Sequence, residues 1–403
     1  MRIEMLCAMC GLGLSAGAWA SGFNLIEHNA SGLGNAYAGQ AASAQDASTV
    51  YFNPAGLMRI EGEQLVLVGH LIRPSIKFTN QGSSNPFGYT GNGGDIGGLN
   101  FVPNAYYARD VGPGWKFGLG ISSPFGLRSE YDHPWAGSTQ ALLSDLKTVN
   151  LNPSLAWLLN DKIALGAGIN LQYIEAELTQ YAGPKGIATL KGDDTAWGYN
   201  LGVLARLDNN TRIGLAYRST IKQELAGTVT YSNSPADNGP ISAKVELPDS
   251  AALSVVTRLS DAWEMLADLT WTGWSSFDRF KVVRSNTGAT VIDIPENWDD
   301  TWRVSAGANY RQNDKWLWRM GVAYDQGPVP DAQHRTPRIP DGDRVWLAFG
   351  GQYKVSDKGW VDVGYAHLLV ERVKINHTEG AVTVKGEYKG KVDILSAQYT
   401  HTF

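Results

Sequence analysis

From about residue 64 to the C-terminus, hydrophobic and polar positions alternate with a period of two over runs of 8–13 residues. In 163–173, Ile163, Leu165, Ala167, Ile169, Leu171 and Tyr173 oppose Ala164, Gly166, Gly168, Asn170 and Gln172. In 197–207, Trp197, Tyr199, Leu201, Val203, Ala205 and Leu207 oppose Gly198, Asn200, Gly202 and Arg206. The segments 212–222, 263–273, 302–310, 316–325, 344–354 and 361–367 behave alike, with Arg212, Arg218, Asp268, Arg303, Arg319, Asp325, Arg344 and Asp362 on their polar faces. Strands of a soluble sandwich run about 5–6 residues, whereas a strand crossing a membrane needs roughly 9–11, apolar towards lipid and polar towards the lumen. Trp157, Trp263, Trp271, Trp302, Trp316, Tyr310 and Tyr353 stand near strand ends, as in the aromatic girdles of membrane barrels. Short Asp/Asn turns at 159–162, 207–211, 311–315 and 355–358 suit a periplasmic end, and longer Gly/Pro/Asn segments at 79–97, 127–144, 181–194, 231–240, 283–297 and 327–342 an extracellular one. Leu395, Ala397, Tyr399 and the terminal Phe403 share one face of the last strand, although His401 interrupts it. The count is 14 strands, and the pattern predicts an all-β fold, a 14-stranded antiparallel transmembrane β-barrel over 63–403.

Two stretches depart from this period. Residues 21–62 are rich in small side chains and show no sustained alternation, yet carry Phe23, Leu25, Ile26, Leu33, Tyr37, Val50, Tyr51 and Phe52 as apolar anchors. Small residues let backbone pack closely, so this segment is expected to be a compact N-terminal hatch, a plug in the barrel lumen. The second is "GWKFGLGISSPFGL" at 114–127, a strand cut short by Pro124-Phe125-Gly126. Proline removes a ladder hydrogen bond and belongs at strand edges, starts or bulges. Unpaired backbone facing lipid costs several kcal/mol per group, so a break in a membrane wall is expected to persist only where loops, plug residues or a cavity satisfy it.

Composition narrows the function classes. A net charge of −5 with no basic patch argues against nucleic acid. Residues 1–20 read as a signal peptide, with Arg2 early, an apolar middle and Ala18-Trp19-Ala20 as a cleavage site. Its removal would take away Cys7 and Cys10 and the elbow-like Gly13-Leu14-Ser15-Ala16-Gly17, leaving no cysteine. None of the histidines sits in a recognisable catalytic or metal-binding spacing, so the chain reads as a non-enzyme with no cofactor and no metal.

The order of the segments "SGFNLIEHNASGLGNAYAGQAASAQDASTVYFNPAGL", "SPFGL", "NPSLAWLLNDKIALGAGINLQYIEAEL", "WGYNLGVL", "WTGWSSF" and "RMGVAYDQGPVPDAQHRTPRIPDGDRVWLAFG" resembles the outer-membrane long-chain fatty acid transporters of the FadL family, which include aromatic-hydrocarbon transporters. Asn53-Pro54-Ala55 matches the family hallmark. The resemblance implies a hatch-occluded barrel in the outer membrane of a Gram-negative bacterium. It also implies a third strand whose kink, here Pro124, Phe125 and Gly126, opens the wall sideways. Passive diffusion of a long-chain fatty acid is the expected activity, with aromatic or aliphatic hydrocarbon uptake as the alternative, a general porin as a further one, and a lipid hydrolase disfavoured. Gly22, Phe23 and Asn24 would move on ligand binding, and Asn53, Pro54 and Ala55 would hold the hatch shape; for that triplet a plain structural turn is the competing reading.

A fatty acid carboxylate suits a bidentate arginine. Arg128, Arg335 and Arg338 are the candidates beside the lumenal arginines, since the family's basic residue at the end of the fifth strand aligns with Gln180 here. The segments after the fifth and seventh strands are short for a capture groove. The stretch 128–146, with Trp135, Leu142, Leu143 and Leu146, is expected to take that role. Outer-membrane lipid, lipopolysaccharide and, during biogenesis, the barrel-assembly machinery complete the expected partners of a monomer.

Overall fold

The computed structural model describes residues 21–403, so the expected signal peptide with Cys7 and Cys10 lies outside the described residues. The alternating segments form β1 (Gln64–Asn80), β2 (Asn100–Gly112), β3 (Trp115–Ser122), β4 (Gly126–Glu130), β5 (Leu143–Asn160), β6 (Ile163–Tyr181) and β7 (Ile187–Arg206). They continue as β8 (Thr211–Arg218), β9 (Ile221–Tyr231), β10 (Gly239–Leu247), β11 (Ser250–Arg258), β12 (Trp263–Thr272), β13 (Arg279–Arg284) and β14 (Thr290–Pro295). The last are β15 (Thr301–Arg311), β16 (Trp316–Asp325), β17 (Arg344–Ser356), β18 (Gly359–Val370), β19 (Val373–Glu379) and β20 (Val382–Thr402). Interruptions divide single wall strands into β3/β4, β8/β9, β10/β11, β12/β13, β14/β15 and β18/β19, so the wall is a closed antiparallel barrel of 14 strands. Closure runs along the whole of β1, from Gln64↔Thr402 to Asn80↔Gly386 against β20.

The lipid-facing positions are those the alternation marks: Ile169, Leu171, Trp197, Tyr199, Leu395 and Tyr399 are exposed, while Asn170, Gln172, Asn200 and Gln398 point inward and are buried. At the short-turn end, Trp115 stacks on Trp157 at 5.7 Å, Trp263 meets Tyr310 at 4.8 Å and Trp316 meets Tyr353 at 4.6 Å, the geometry of an aromatic girdle.

The strands are longer than the sequence indicates. β6, β7 and β20 have 19, 20 and 21 residues. At roughly 3.3 Å per residue and a tilt near 40°, such strands outrun an apolar band about 25 Å tall. The stretch 181–194 is therefore mostly wall, with only a short turn between Tyr181 and Ile187. The physical reason is a reversal of polarity. Within the band the apolar side chains face out (Trp197, Tyr199), but above it the outside is water. There the same inward positions become apolar (Ala188, Leu190, Ile174) and the outward ones charged (Lys191, Glu175, Glu177). Segment 283–297 is likewise a hairpin of β13 and β14.

Residues 21–62 fill the lumen. They carry three single turns of helix, α1 (Ala30–Leu33), α2 (Gln40–Ser43) and α3 (Thr49–Phe52), followed by a 3₁₀ turn at Pro54–Arg59. Helices this short have no stability of their own, so the wall holds them. Arg212, Arg218 and Arg303 donate to the carbonyls of Ala42, Tyr51 and Ala36 at 3.2, 2.9 and 2.7 Å. Ser254 Oγ accepts from Ala41 N and Gln398 Oε1 from Ala30 N, each at 3.0 Å. Asn53 is fully buried; its Oδ1 accepts from Ala55 N (3.0 Å) while its Nδ2 donates to Ala41 O (2.6 Å) and Val203 O (3.0 Å). Wall glycines admit this close approach, because a Cβ on Gly214 would fall on the Ala41 carbonyl and one on Gly166 on the Ala55 amide. Gly214→Val is thus expected to unseat the plug while leaving the outward face intact. Liposome swelling with small sugars should rise several-fold over wild type, with the barrel still heat-modifiable on gels.

Candidate functional site

The third wall strand stops at Ser122 and resumes at Gly126. Below the break β3 pairs on both sides, its ladder to β2 ending at Ala105↔Ile121. Above it β4 pairs with β5 alone, from Gly126↔Lys147 to Glu130↔Leu143. The edge of β4 that a neighbouring strand would cover turns to the plug at Gly126 and to the segment after β1 at Glu130, whose amide donates to Ile96 O at 3.2 Å. Leu25 N donates to Pro124 O at 2.8 Å, Gly126 N donates to Phe23 O at 2.9 Å, and Asn24 and Phe125 form an isolated antiparallel bridge. Polar side chains take the remaining groups. Thr148 Oγ1 accepts from Phe125 N (3.0 Å), Ser123 Oγ donates to Thr148 O (2.7 Å), and Asn104 on the β2 edge donates to Glu27 O (2.9 Å). Phe23, Asn24 and Leu25 thus meet Pro124, Phe125 and Gly126, about a hundred residues away in sequence, in one isolated bridge, with Gly22 next to it.

Side chains reinforce this pairing. Phe23 and Phe125 are buried, with ring centroids 6.0 Å apart, and Phe23 is boxed by Trp274 (4.8 Å), Phe277 (5.5 Å) and Trp298 (5.8 Å). Gly22 adopts φ +63°, and a Cβ there would meet Trp274 and Trp298 at 2.7 and 2.8 Å, so only glycine lets the backbone pass this close to the rings. Its amide donates to Asp341 Oδ2 at 2.7 Å. Trp274 and Phe277 lie in the segment 271–277 that carries the family resemblance, but the sequence assigned no role to them or to Trp298. Their available signal is that Trp274, Phe277 and Trp298 fall in interruptions of the period-two pattern, between β12 and β13 and between β14 and β15.

Phe23 also closes one side of an apolar cavity of about 870 Å³, its open mouth included. Leu127, Leu146, Ile174, Leu225, Phe277 and Phe280 form much of its lining, and Arg338 and Glu296 are among its few charged groups. Arg338 arrives on the long segment before β17. Its Nη2 donates to Gln180 Oε1 (2.7 Å), its Nη1 to Leu143 O and Ser144 Oγ (each 3.2 Å), and its buried Nε has no hydrogen-bond partner. These acceptors are all neutral, and no carboxylate lies within ion-pair distance of it among the described residues. Burial draws Arg338 down to about 10, so it remains a cation at neutral pH. Burial pushes Glu296 up to about 8, against the opposing influence of His377 and the Trp298 Nε1 hydrogen bond at 3.1 Å, so it is largely neutral at pH 7.

The other candidate arginines are committed elsewhere. Arg128 pairs with Asp145 (2.7 Å) and Glu130 (2.8 Å). Arg335 donates to the carbonyls of Asp341 (2.9 Å) and Lys374 (2.6 Å). Arg319 is ion-paired with Asp362 and Arg344 with Asp341. Asn53, Pro54 and Ala55 are seated against the lower part of the wall at Gly166, Gly202 and Val203 and do not line Arg338's cavity. Segment 128–146 differs from the expected capture loop. Trp135 is fully buried, stacked 3.9 Å from Tyr131, and Leu142 is buried too, because the chain folds back over the barrel mouth and spends its apolar residues on that packing.

Comparison with known proteins places this geometry. A family model described as outer membrane protein transport protein (OMPP1/FadL/TodX) matches residues 11–403. A long-chain fatty acid transport protein of Escherichia coli O6:H1 is 30% identical over 432 residues, covering 97% of this chain and 96% of that one. The crystal structure of a Pseudomonas aeruginosa FadL homologue superposes with a TM-score of 0.88 at 26% identity, covering 95% of this chain and 100% of the other. That of the P. putida toluene transporter TodX shares the fold, with a TM-score of 0.69 at 19% identity, covering 89% and 94%.

Replacing Phe23 with alanine is expected to cost the plug N-terminus about 3 kcal/mol of local stability. Amide exchange at Leu25 and Gly126 should then accelerate on the order of 100-fold, with exchange in β18 and β20 unchanged.

Proposed function

Since the chain belongs to the OMPP1/FadL/TodX family of outer-membrane transport proteins, whose members are transporters and channels rather than enzymes, we propose that it passes long-chain fatty acids across the outer membrane by passive diffusion. The observation that carries this reading is Arg338, a buried cation without a carboxylate partner at the wall of an apolar cavity. A neutral hydrocarbon has no use for such a charge. A fatty acid places its carboxylate on the guanidinium and its chain along Leu146, Ile174, Leu225 and Phe280, where each buried methylene contributes about 0.8 kcal/mol.

The exit follows from what lies beneath. Below the plug the lumen is a polar vestibule of about 1630 Å³, its open mouth included, lined in part by Arg59, Arg212, Arg258, Arg311 and Glu264, a poor solvent for an acyl chain. The wall break beside Phe23 offers a sideways route into lipid. Ligand pressing on Phe23 would withdraw Gly22, Phe23 and Asn24 from Pro124, Phe125 and Gly126, opening that route. Asn53, Pro54 and Ala55 would keep the rest of the plug seated meanwhile.

Arg338→Ala is expected to weaken oleate binding at least tenfold, or about 1.4 kcal/mol, while leaving toluene binding within twofold. An equal loss for both, or for neither, favours hydrocarbon as the cargo. Glu296 gives a pH dependence with a definite sign. Its folded value lies above its usual one, so the protonated, neutral form prevails at pH 7 and is lost as pH rises through about 8. A second anion then faces the ligand carboxylate. Oleate affinity should fall between pH 7 and pH 9, and Glu296→Gln should flatten that fall.

A further inference from the structure

Above the lipid-facing band, cations on the outer wall are mostly matched by acids on the next strand. Lys222 pairs with Glu246 and Lys244 with Glu224, both at 2.9 Å; Arg279 pairs with Asp293 at 3.2 Å and Lys191 with Glu175 at 3.5 Å. The seam where β1 meets β20 differs. Leu71 and Leu395 stand opposite each other as the last exposed apolar pair, and the outward positions then turn cationic, with Arg73, Lys77, Lys389 and Lys391 all exposed. The register sets Ser75 opposite Lys391 and Lys77 directly opposite Lys389.

Like charges directly opposite across a ladder destabilise it, and none of these four side chains has an ion pair among the described residues. The acids nearby are occupied. Asp393, opposite Arg73, accepts from Tyr365 OH and meets His367 Nδ1, both at 2.7 Å. Glu387 pairs with Arg372 at 3.2 Å, and Asp95 accepts from Ser75 Oγ and Ile76 N at 2.6 and 2.8 Å. Four cations without an ion pair among the described residues, faced only at longer range by Asp393 beside Arg73 and Lys391, therefore stand one step above exposed leucines, at the level where lipid headgroups replace acyl chains.

We propose that Arg73, Lys77, Lys389 and Lys391 form a binding site for the phosphorylated glycolipid of the outer leaflet, lipid A of lipopolysaccharide. Its phosphate sits between Lys77 and Lys389 and its acyl chains lie along Leu71, Leu395 and Leu369. Phosphate supplies the countercharge that the ladder lacks, through charge-assisted hydrogen bonds, and the apolar seam below holds the chains.

The test is native mass spectrometry of the full barrel in mild detergent, titrated with bis-phosphorylated lipid A, with lipid A stripped of phosphate, and with inorganic phosphate. Wild type should retain phosphorylated lipid A. Lys77→Ala/Lys389→Ala/Lys391→Ala should retain it at least tenfold less, as wild type should the dephosphorylated lipid, while Lys222→Ala/Lys244→Ala matches wild type. Removing the repulsion gives a second readout that a misfolded variant does not mimic: Lys389→Ala should melt higher than wild type in lipid-free detergent yet gain less on adding lipid A. Equal retention by the triple variant, equal retention of the dephosphorylated lipid, or occupancy by inorganic phosphate with no gain from the acyl chains would overturn the assignment.

Discussion

The structure turns on one constraint: backbone in the wall of a membrane barrel has no water to fall back on, so every break needs a partner. Here the break at Ser123–Phe125 finds that partner inside the barrel. The carbonyl of Pro124 and the amide of Gly126 bond to Leu25 and Phe23 rather than to a wall strand. The plug N-terminus thereby belongs to the wall as well as to the lumen. Its position depends on Gly22 fitting under Trp274 and Trp298, on Asp341 accepting from that glycine's amide, and on Phe23 filling the ring of aromatics. Since the same Phe23 bounds the apolar cavity, whatever occupies the cavity touches the group that closes the wall.

Electrostatics divides the lumen into two kinds of arginine. Arg212, Arg218 and Arg303 spend part of their donors on plug carbonyls, and Arg319 and Arg344 on acids, so their charges serve to hold the plug and wall together. Arg338 is held by Gln180, Ser144 and a carbonyl, which fix its geometry without neutralising it. Fixing a charge while leaving it uncompensated costs folding free energy, a cost that fits the proposed carboxylate site. The Gln180 position reads in sequence as the loss of a basic residue; in space it is the bracket for a basic residue supplied by a different segment.

Much of the barrel was legible because the bilayer imposes a period of two with aromatics at the edges, and Ile163 to Tyr173 or Leu395 to Phe403 carry that signal plainly. The break was legible too, from Pro124 inside an otherwise regular strand. What escaped has a common cause. Above the membrane the outward face meets water, so the apolar face switches from Trp197 and Tyr199 to Ala188 and Leu190, and a continuous strand reads as a loop. Trp135 looked like an exposed greasy tip because sequence does not say that Tyr131 and Phe78 wait for it. Arg338 could be named only as one of several arginines, because its distinction lies in which neighbours lack charge.

The central claim is that the plug N-terminus must leave the wall break for cargo to pass, and a reversible lock tests it most directly. Asn24 and Phe125 are bridge partners across the two segments, and directly opposed antiparallel partners lie at the Cα separation a disulfide spans, so the lock is Asn24→Cys with Phe125→Cys. In cells, oleate uptake by the oxidised protein should drop to the level of a strain lacking the transporter and return on reduction, since both states carry the same substitutions. Uptake by the oxidised, locked barrel equal to that of the reduced one would contradict the account.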